Sequence, residues 1–384
     1  MDQKSNFRSL STLDTGKGSF IYWLSLNSKE IKPNSIKYYL SIYILTVFVF
    51  YGIGLVWAAL STPSLTTAIG DFKRPYLKDL MLIVMLCITL PFAICVHIRE
   101  RFLIPNCLNQ LCLNGVISES DNRTDEFISS WEHRFKLWNI IIQLISLAAV
   151  VVVVILNYKS FVDDPSGWQH FGAESNGIAP IGWWSLFAQI GVLFFVIFQV
   201  LLRIPVVIWL LWSLQKYFII KVRPLHPDGV GGLKPVARIA FQGQIFLTLL
   251  GINIAVNYIV FLLHGGNLQW VMITLSIFAY ILIAPFVFIG PLLPFRSYMK
   301  NEKYKLLSSI SNEYDTEIND IQNLLHSSDS ISKLDKLEKL ALLNKSVSKF
   351  PEWPLDTTTI REFIATLLIP AFIAFLSTIF RFIF

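Results

Sequence analysis

Charge is scarce in this chain. Asp, Glu, Lys and Arg make up 15% of its residues against 54% that are hydrophobic, and the mean hydropathy is +0.56. Soluble domains carry about a quarter charged residues, so a soluble enzyme or a nucleic-acid-binding domain cannot form the body of the chain, and no nucleic-acid partner is expected. Cysteine is scarce too. The four cysteines are too few and too scattered for a disulfide framework. Cys107 and Cys112, with His133 downstream, lack the paired spacing and fourth ligand of a zinc site. They read as small buried hydrophobes, and no metal is expected. No Gly-Lys-Ser/Thr follows a glycine-rich turn, which excludes a nucleotide P-loop; no cofactor is expected. A cleavable signal peptide is also lacking, because residues 1–19 are polar and the first apolar run is longer than a signal core. That run is expected to be a retained anchor.

What the chain has in abundance is long apolar runs. They cover about 38–60, 77–98, 139–156, 183–214, 245–263, 270–293 and 360–380. A helix of roughly 20 residues crosses the ~30 Å hydrocarbon layer, and only helices satisfy their own backbone groups there. The expected fold is therefore all-α: a polytopic membrane protein of about seven transmembrane helices, with a cytoplasmic amphipathic helical hairpin before the last span. The expected domains are a cytoplasmic arm with an interfacial segment (1–37), a six-span unit (38–294), the hairpin and its elbow (295–356), and a C-terminal span (357–384). Lys and Arg confirm a consistent sidedness: alternate connections hold 26 of them against 5 in the others, with Arg203 inside a span. The positive-inside rule puts the N-terminus in the cytoplasm and the C-terminus outside. The basic excess is thus topology. The bilayer itself is the first expected partner.

Residues 1–19 read as a mobile arm, and Phe20–Leu24 as an interfacial stretch. The segment 99–138 reads as one or two short helices on the inner face. The connection 157–182, with Asp163, Asp164, Glu174 and three tryptophans at or near its end, reads as a solvated outer loop capped at the interface. Arg203 interrupts the fourth run about 20 residues from its start, where snorkelling to headgroups is cheap. It is expected to anchor that boundary, with Pro205 allowing a bend; a pore or ion-pair role inside the bundle is the alternative. Arg203 is grouped with the turn that follows, in which His226, Asp228, Gly229, Gly231 and Gly232, flanked by Arg223, Lys234 and Arg238, can form a nest for a lipid headgroup or another anion; a rigid re-entry turn between spans is the plainer reading of the same residues. Asn253 and Asn257 share a helical face in the fifth run. Pro285, Gly290 and Pro291 break the sixth. Together these five are the expected pore or transport path. In 296–349, apolar positions recur at helical spacing on both sides of Ser327-Ser328-Asp329, with acids concentrated before that break and lysines after it, as an antiparallel pair requires.

The His-Pro-Asp-Gly-x-Gly-Gly-Leu loop at 226–233 and the Pro-x-Trp-Pro-x-Asp segment at 351–356 resemble a pairing found in uncharacterised bacterial multi-pass inner-membrane proteins. The resemblance implies a bacterial inner membrane and brings no activity with it. The residues themselves point first to an oligomeric channel or transport-related protein. A membrane-embedded enzyme or lipid-phosphate binder using the 226–232 loop is the alternative, although no dense acidic, Cys or Ser/His cluster marks a catalytic centre. A sensor or scaffold that recruits a cytoplasmic protein through 298–349 is the third reading.

Overall fold

A computed structural model describes residues 9–19, 35–62, 64–66, 75–118, 121–163, 168–169, 178–264, 267–323 and 330–383. Phe20–Leu24, Asp164 and Glu174 lie outside them. The described residues are helical, with no strand beyond an isolated antiparallel bridge between Ile117 and Ile220. Among the described residues nine long helices follow one another: α1 (Ile36–Ser61), α2 (Leu80–Leu113), α3 (Asp121–Asp163), α4 (Pro180–Tyr217), α5 (Lys234–His264), α6 (Asn267–Ile289), α7 (Leu293–Asn323), α8 (Ser330–Ser348) and α9 (Thr357–Ile383). Stretches within α1 to α5 are each long and apolar enough to cross a membrane, and a sixth is reached if α6 and α7, bent by 47° at their junction, count as one broken span. Gly290 and Pro291 form that junction, whereas Pro285 lies inside α6.

The helices start where their sequences allow. The Ser35 hydroxyl accepts from Tyr38 N at 3.2 Å, and Asp79 accepts from Leu82 N at 3.0 Å. Asp356 accepts from Thr359 N at 2.8 Å at the head of α9. Each satisfies an amide that the helix itself leaves without a partner. In α1, α2 and α4 a short π-helical stretch interrupts the ladder, at Phe48–Gly52, Val84–Thr89 and Ser185–Ile190. Gln189 inside the α4 stretch donates to Phe50 O in the α1 stretch at 2.9 Å and to the Tyr76 hydroxyl at 3.2 Å. Gly54 permits this contact, since a Cβ there would stand 2.5 Å from Tyr76 Oη and 2.6 Å from Gln189 Nε2.

Several expectations change. The described residues of 99–138 form no separate short helix; they continue α2 and begin α3. With the end of α4 and the start of α5, these extensions enclose a core of Ile104, Leu108, Phe127, Trp131, Phe135, Leu210 and Leu233. Helix α4 continues through Pro205 to Tyr217. Residues 157–163 are the last turns of α3 rather than loop. Trp168 is buried, not interfacial: its indole N–H donates to Asp79 Oδ2 at 3.0 Å and its ring meets Tyr76 edge-on. The arm is not free over its described part. Residues 9–19 lie against α2, α3 and α4, with Leu10 and Leu13 in the core.

α7 and α8 touch through Ile310, Leu340 and Val347, and Lys336 reaches Glu313 and Glu317. Phe350 beyond α8 returns to the main core, where Lys303 donates to its carbonyl at 2.8 Å.

Candidate functional site

Arg203 is the most demanding residue in the structure. A guanidinium inside a span must be paired or pay a large desolvation cost, and all of its nitrogen groups are used. Nε donates to Glu100 Oε1 of α2 at 2.8 Å, Nη1 to Asn139 Oδ1 of α3 at 2.8 Å, and Nη2 to Thr15 O of the arm at 2.6 Å. The Phe135 ring covers it at 5.5 Å. Only 2% of Arg203 is exposed, so the expected headgroup anchor is overturned: no lipid phosphate can reach a guanidinium sealed by protein on every side. Asn139 is oriented by the same network. Its amide nitrogen donates to Thr15 O at 3.3 Å and Lys17 O at 2.9 Å, which leaves its oxygen for Arg203.

From this node a seam of polar groups follows single helix faces into the bundle. Glu100, His97 and Thr89 share a face of α2, each spaced by whole turns. His97 is fully buried and within electrostatic reach of Arg203. On α5, Gln242 donates to Val96 O at 3.2 Å, and Asn253, three turns on, donates to the Thr89 hydroxyl. On α4, Gln199 and Gln189 share the face of Arg203, and on α3 Ser146 shares that of Asn139. Four atoms along these faces have no hydrogen-bond partner among the described residues: Gln189 Oε1, Gln199 Nε2, Gln242 Oε1 and Ser146 Oγ. Between the Gln242 and Asn253 levels the face closes with Ala93 and Phe246, both fully buried.

The expected path of Asn253, Asn257, Pro285, Gly290 and Pro291 is not assembled within one chain. Asn253 turns to α2, and Asn257 donates back to Asn253 O at 2.9 Å. The face of α5 that meets α6 is a different one, carrying Gly243, Leu247 and Gly251 against Val287, Ala284 and Tyr280. Gly290 packs on Ile208 of α4.

The 226–232 turn has a geometry of its own. Gly229, Gly231 and Gly232 all take the left-handed conformation, and the nest they form is filled by the chain itself. Asp228 Oδ1 accepts from Val230 N at 3.1 Å and Gly232 N at 2.9 Å, and Oδ2 from Lys234 N at 3.3 Å. His226 Nδ1 lies 2.9 Å from Asp228 Oδ1 and accepts from the Asp228 backbone N–H at 3.3 Å. Burial raises the Asp228 carboxyl, but the hydrogen bonds from Gly232, His226, Val230 and Lys234 outweigh it and hold the group below the ordinary carboxylate range. A carboxylate already occupying the amides leaves no nest for an external anion at that point. The turn is instead a clamp. Gly231 faces Phe350 and Val222, and Lys234 Nζ lies 3.7 Å from Asp356, so the two sequence motifs at 226–233 and 351–356 meet in space. Arg238 remains exposed on α5.

Arg223 points elsewhere. With Lys221 it lines a cleft of about 440 Å³ whose other walls include Asn109, Cys112, Gly115 and Ser118. Its guanidinium lies directly over Gly115, where a Cβ would be 2.4 Å from Nη2. Lys221 carries no lone-glycine signature and no motif, so sequence reasoning missed it; the bridge that positions it, Lys221 N to Val116 O at 2.8 Å, joins distant segments. Among the described residues no three His, Cys, Asp or Glu side chains converge as a metal site. No protein-family model, curated protein or solved structure matches the chain, so its functional reading rests on this geometry.

Proposed function

We propose that the protein is a transport-related or channel protein that passes a small hydrophilic species along the seam between α2, α3, α4 and α5. One observation carries this reading: three buried amide atoms and a buried hydroxyl with no hydrogen-bond partner among the described residues lie along the same helix faces as an ion pair. In lipid each unsatisfied polar group costs several kcal/mol, and purely structural seams are built from apolar or fully paired groups. Polar groups retained at such cost mark routes for hydrophilic species. The surroundings proposed for it are a bacterial inner membrane crossed by seven spans, α1 to α6 and α9. The N-terminus is cytoplasmic, the C-terminus is outside, and α7–α8 form a cytoplasmic hairpin available for self-association. The contacts of the arm with the ends of α2 and α4 and the start of α3 support this sidedness, since all three then lie on one face of the membrane.

Purified protein in liposomes should carry a flux of potassium, sodium or protons above that of empty vesicles. Gln199→Leu and Gln242→Leu, which remove the unpaired Gln199 nitrogen and Gln242 oxygen without adding bulk, should lower it by about tenfold, as loss of one ~1.4 kcal/mol stabilising contact does. Equal flux in folded variants and wild type would remove the seam as the route.

A second reading, binding of an anionic headgroup, is favoured by the Lys221–Arg223 cleft rather than by the 226–232 turn. Lys221→Glu/Arg223→Glu protein should lose preference for vesicles containing phosphatidylglycerol, in a tryptophan-quenching assay with brominated lipid. If quenching is unchanged, the cleft does not select lipid.

A further inference from the structure

The arm meets the seam through its backbone carbonyls, those of Thr15, Lys17 and Gly18. Arg203 Nη2 and Asn139 Nδ2, from two different helices, converge on a single oxygen, the Thr15 carbonyl, at 2.6 and 3.3 Å. Two buried donors aimed at one acceptor are what a helix bundle offers to a guest, and here the guest is non-helical backbone of the chain's own arm. Gln143 adds a third donor, to Gly18 O at 2.7 Å. Gly18 takes φ +84° against α3, where a Cβ would stand 3.1 Å from Lys136 O.

The rest of the attachment is light. Two apolar side chains, Leu10 and Leu13, enter the core. Two ion pairs at the rim hold the flanks: Asp14 with Arg101 at 3.5 Å and Lys17 with Glu132 at 3.1 Å. Rim pairs of this kind contribute at most about 1 kcal/mol each and weaken with salt. Thr15 Oγ1 and Ser19 Oγ are buried with no hydrogen-bond partner among the described residues, so the arm covers the node without fitting it fully. When the arm leaves, Arg203 and Asn139 lose their acceptor and must be hydrated, which opens a wet vestibule at the head of the seam.

We propose that residues 9–19 are a releasable plug, with the Thr15 carbonyl stoppering the Arg203–Asn139 end of the seam. Its purpose rests on the transport reading above, but its existence is testable without flux. In a background with Cys87, Cys95, Cys107 and Cys112 replaced by alanine, Ser146→Cys places a thiol on the Asn139 face of α3, two turns deeper and fully buried. The probe is a membrane-impermeant methanethiosulfonate added to vesicles with the arm side outward. Leu10→Asp/Leu13→Asp, which frees the arm in the full chain, should raise the labelling rate at least about tenfold, equivalent to ~1.4 kcal/mol of lost docking. Raised labelling with no change in flux would leave the plug standing and sink the transport reading. Labelling equally slow with the arm freed would overturn the plug. Should the double aspartate variant not fold, hydrogen exchange on wild-type protein decides the matter: amides of 9–19 exchanging well before those of 139–146 support release, and exchange at the same slow rate refutes it.

Discussion

Arg203→Leu lowers stability by about 3–5 kcal/mol, the cost of breaking a buried ion pair from one side. The loss does not come from the missing attraction alone. Glu100, 15% exposed, keeps a charge with no counterpart, and Asn139 Oδ1 and Thr15 O lose a donor each. Replacing both members of a buried pair by apolar residues is far less harmful, because no charge is then stranded. Arg203→Leu/Glu100→Leu should therefore recover a large part of the thermal midpoint lost by Arg203→Leu, measured by size-exclusion chromatography after heating in detergent. The single variant should also free the arm, seen as cleavage near Lys17 under limited trypsin. A single variant that unfolds within a degree of wild type would mean that Arg203 reaches water or headgroups after all.

How much of this was legible beforehand depends on the distance over which each feature is built. Five of the expected spans, and a sixth if the bent pair α6–α7 counts as one, were legible as apolar runs because lipid leaves the backbone one solution, and the bend at Gly290-Pro291 was legible from its own residues. The reach of α2 and α3 beyond those runs was not: Phe127, Trp131 and Phe135 give a helical face, but nothing local distinguishes a helix lying on a membrane from one rising out of it. Arg203 was visible as a problem and its solution was not, since its partners come from positions 15, 100 and 139. The arm shows only Leu10 and Leu13 as apolar anchors, too few to announce docking. The glycines of the 226–232 turn marked a nest, and all three do take positive φ, yet which acceptor fills a nest is decided by one rotamer, that of Asp228.

That rotamer makes the turn a test between clamp and catalyst. Asp228→Ala removes the acceptor of three backbone amides, those of Val230, Gly232 and Lys234, together with the partner of His226. Buried amides left unpaired cost about 1–3 kcal/mol each before water rescues them, so a loss of at least about 2 kcal/mol is expected. The damage should spread to the elbow at 350–356, because Gly231 supports the Phe350 ring and Lys234 pairs with Asp356. The same carboxylate gives the wild type an acid limit. Its folded-state pKa is depressed, so its contribution is complete above the unfolded aspartate value near ~3.9 and is lost as pH falls below that through the lower folded value. The thermal midpoint of Asp228→Ala should accordingly sit well below that of wild type at pH 7, and the gap should narrow only under acid conditions below about pH 4. A catalytic aspartate behaves in the opposite way. Its removal abolishes turnover and leaves the midpoint unchanged or raised, since active-site charges are held at a cost to stability. An Asp228→Ala protein as stable as wild type at pH 7 would thus return the turn to the enzyme reading, and a destabilised one fixes it as the joint between the two motifs.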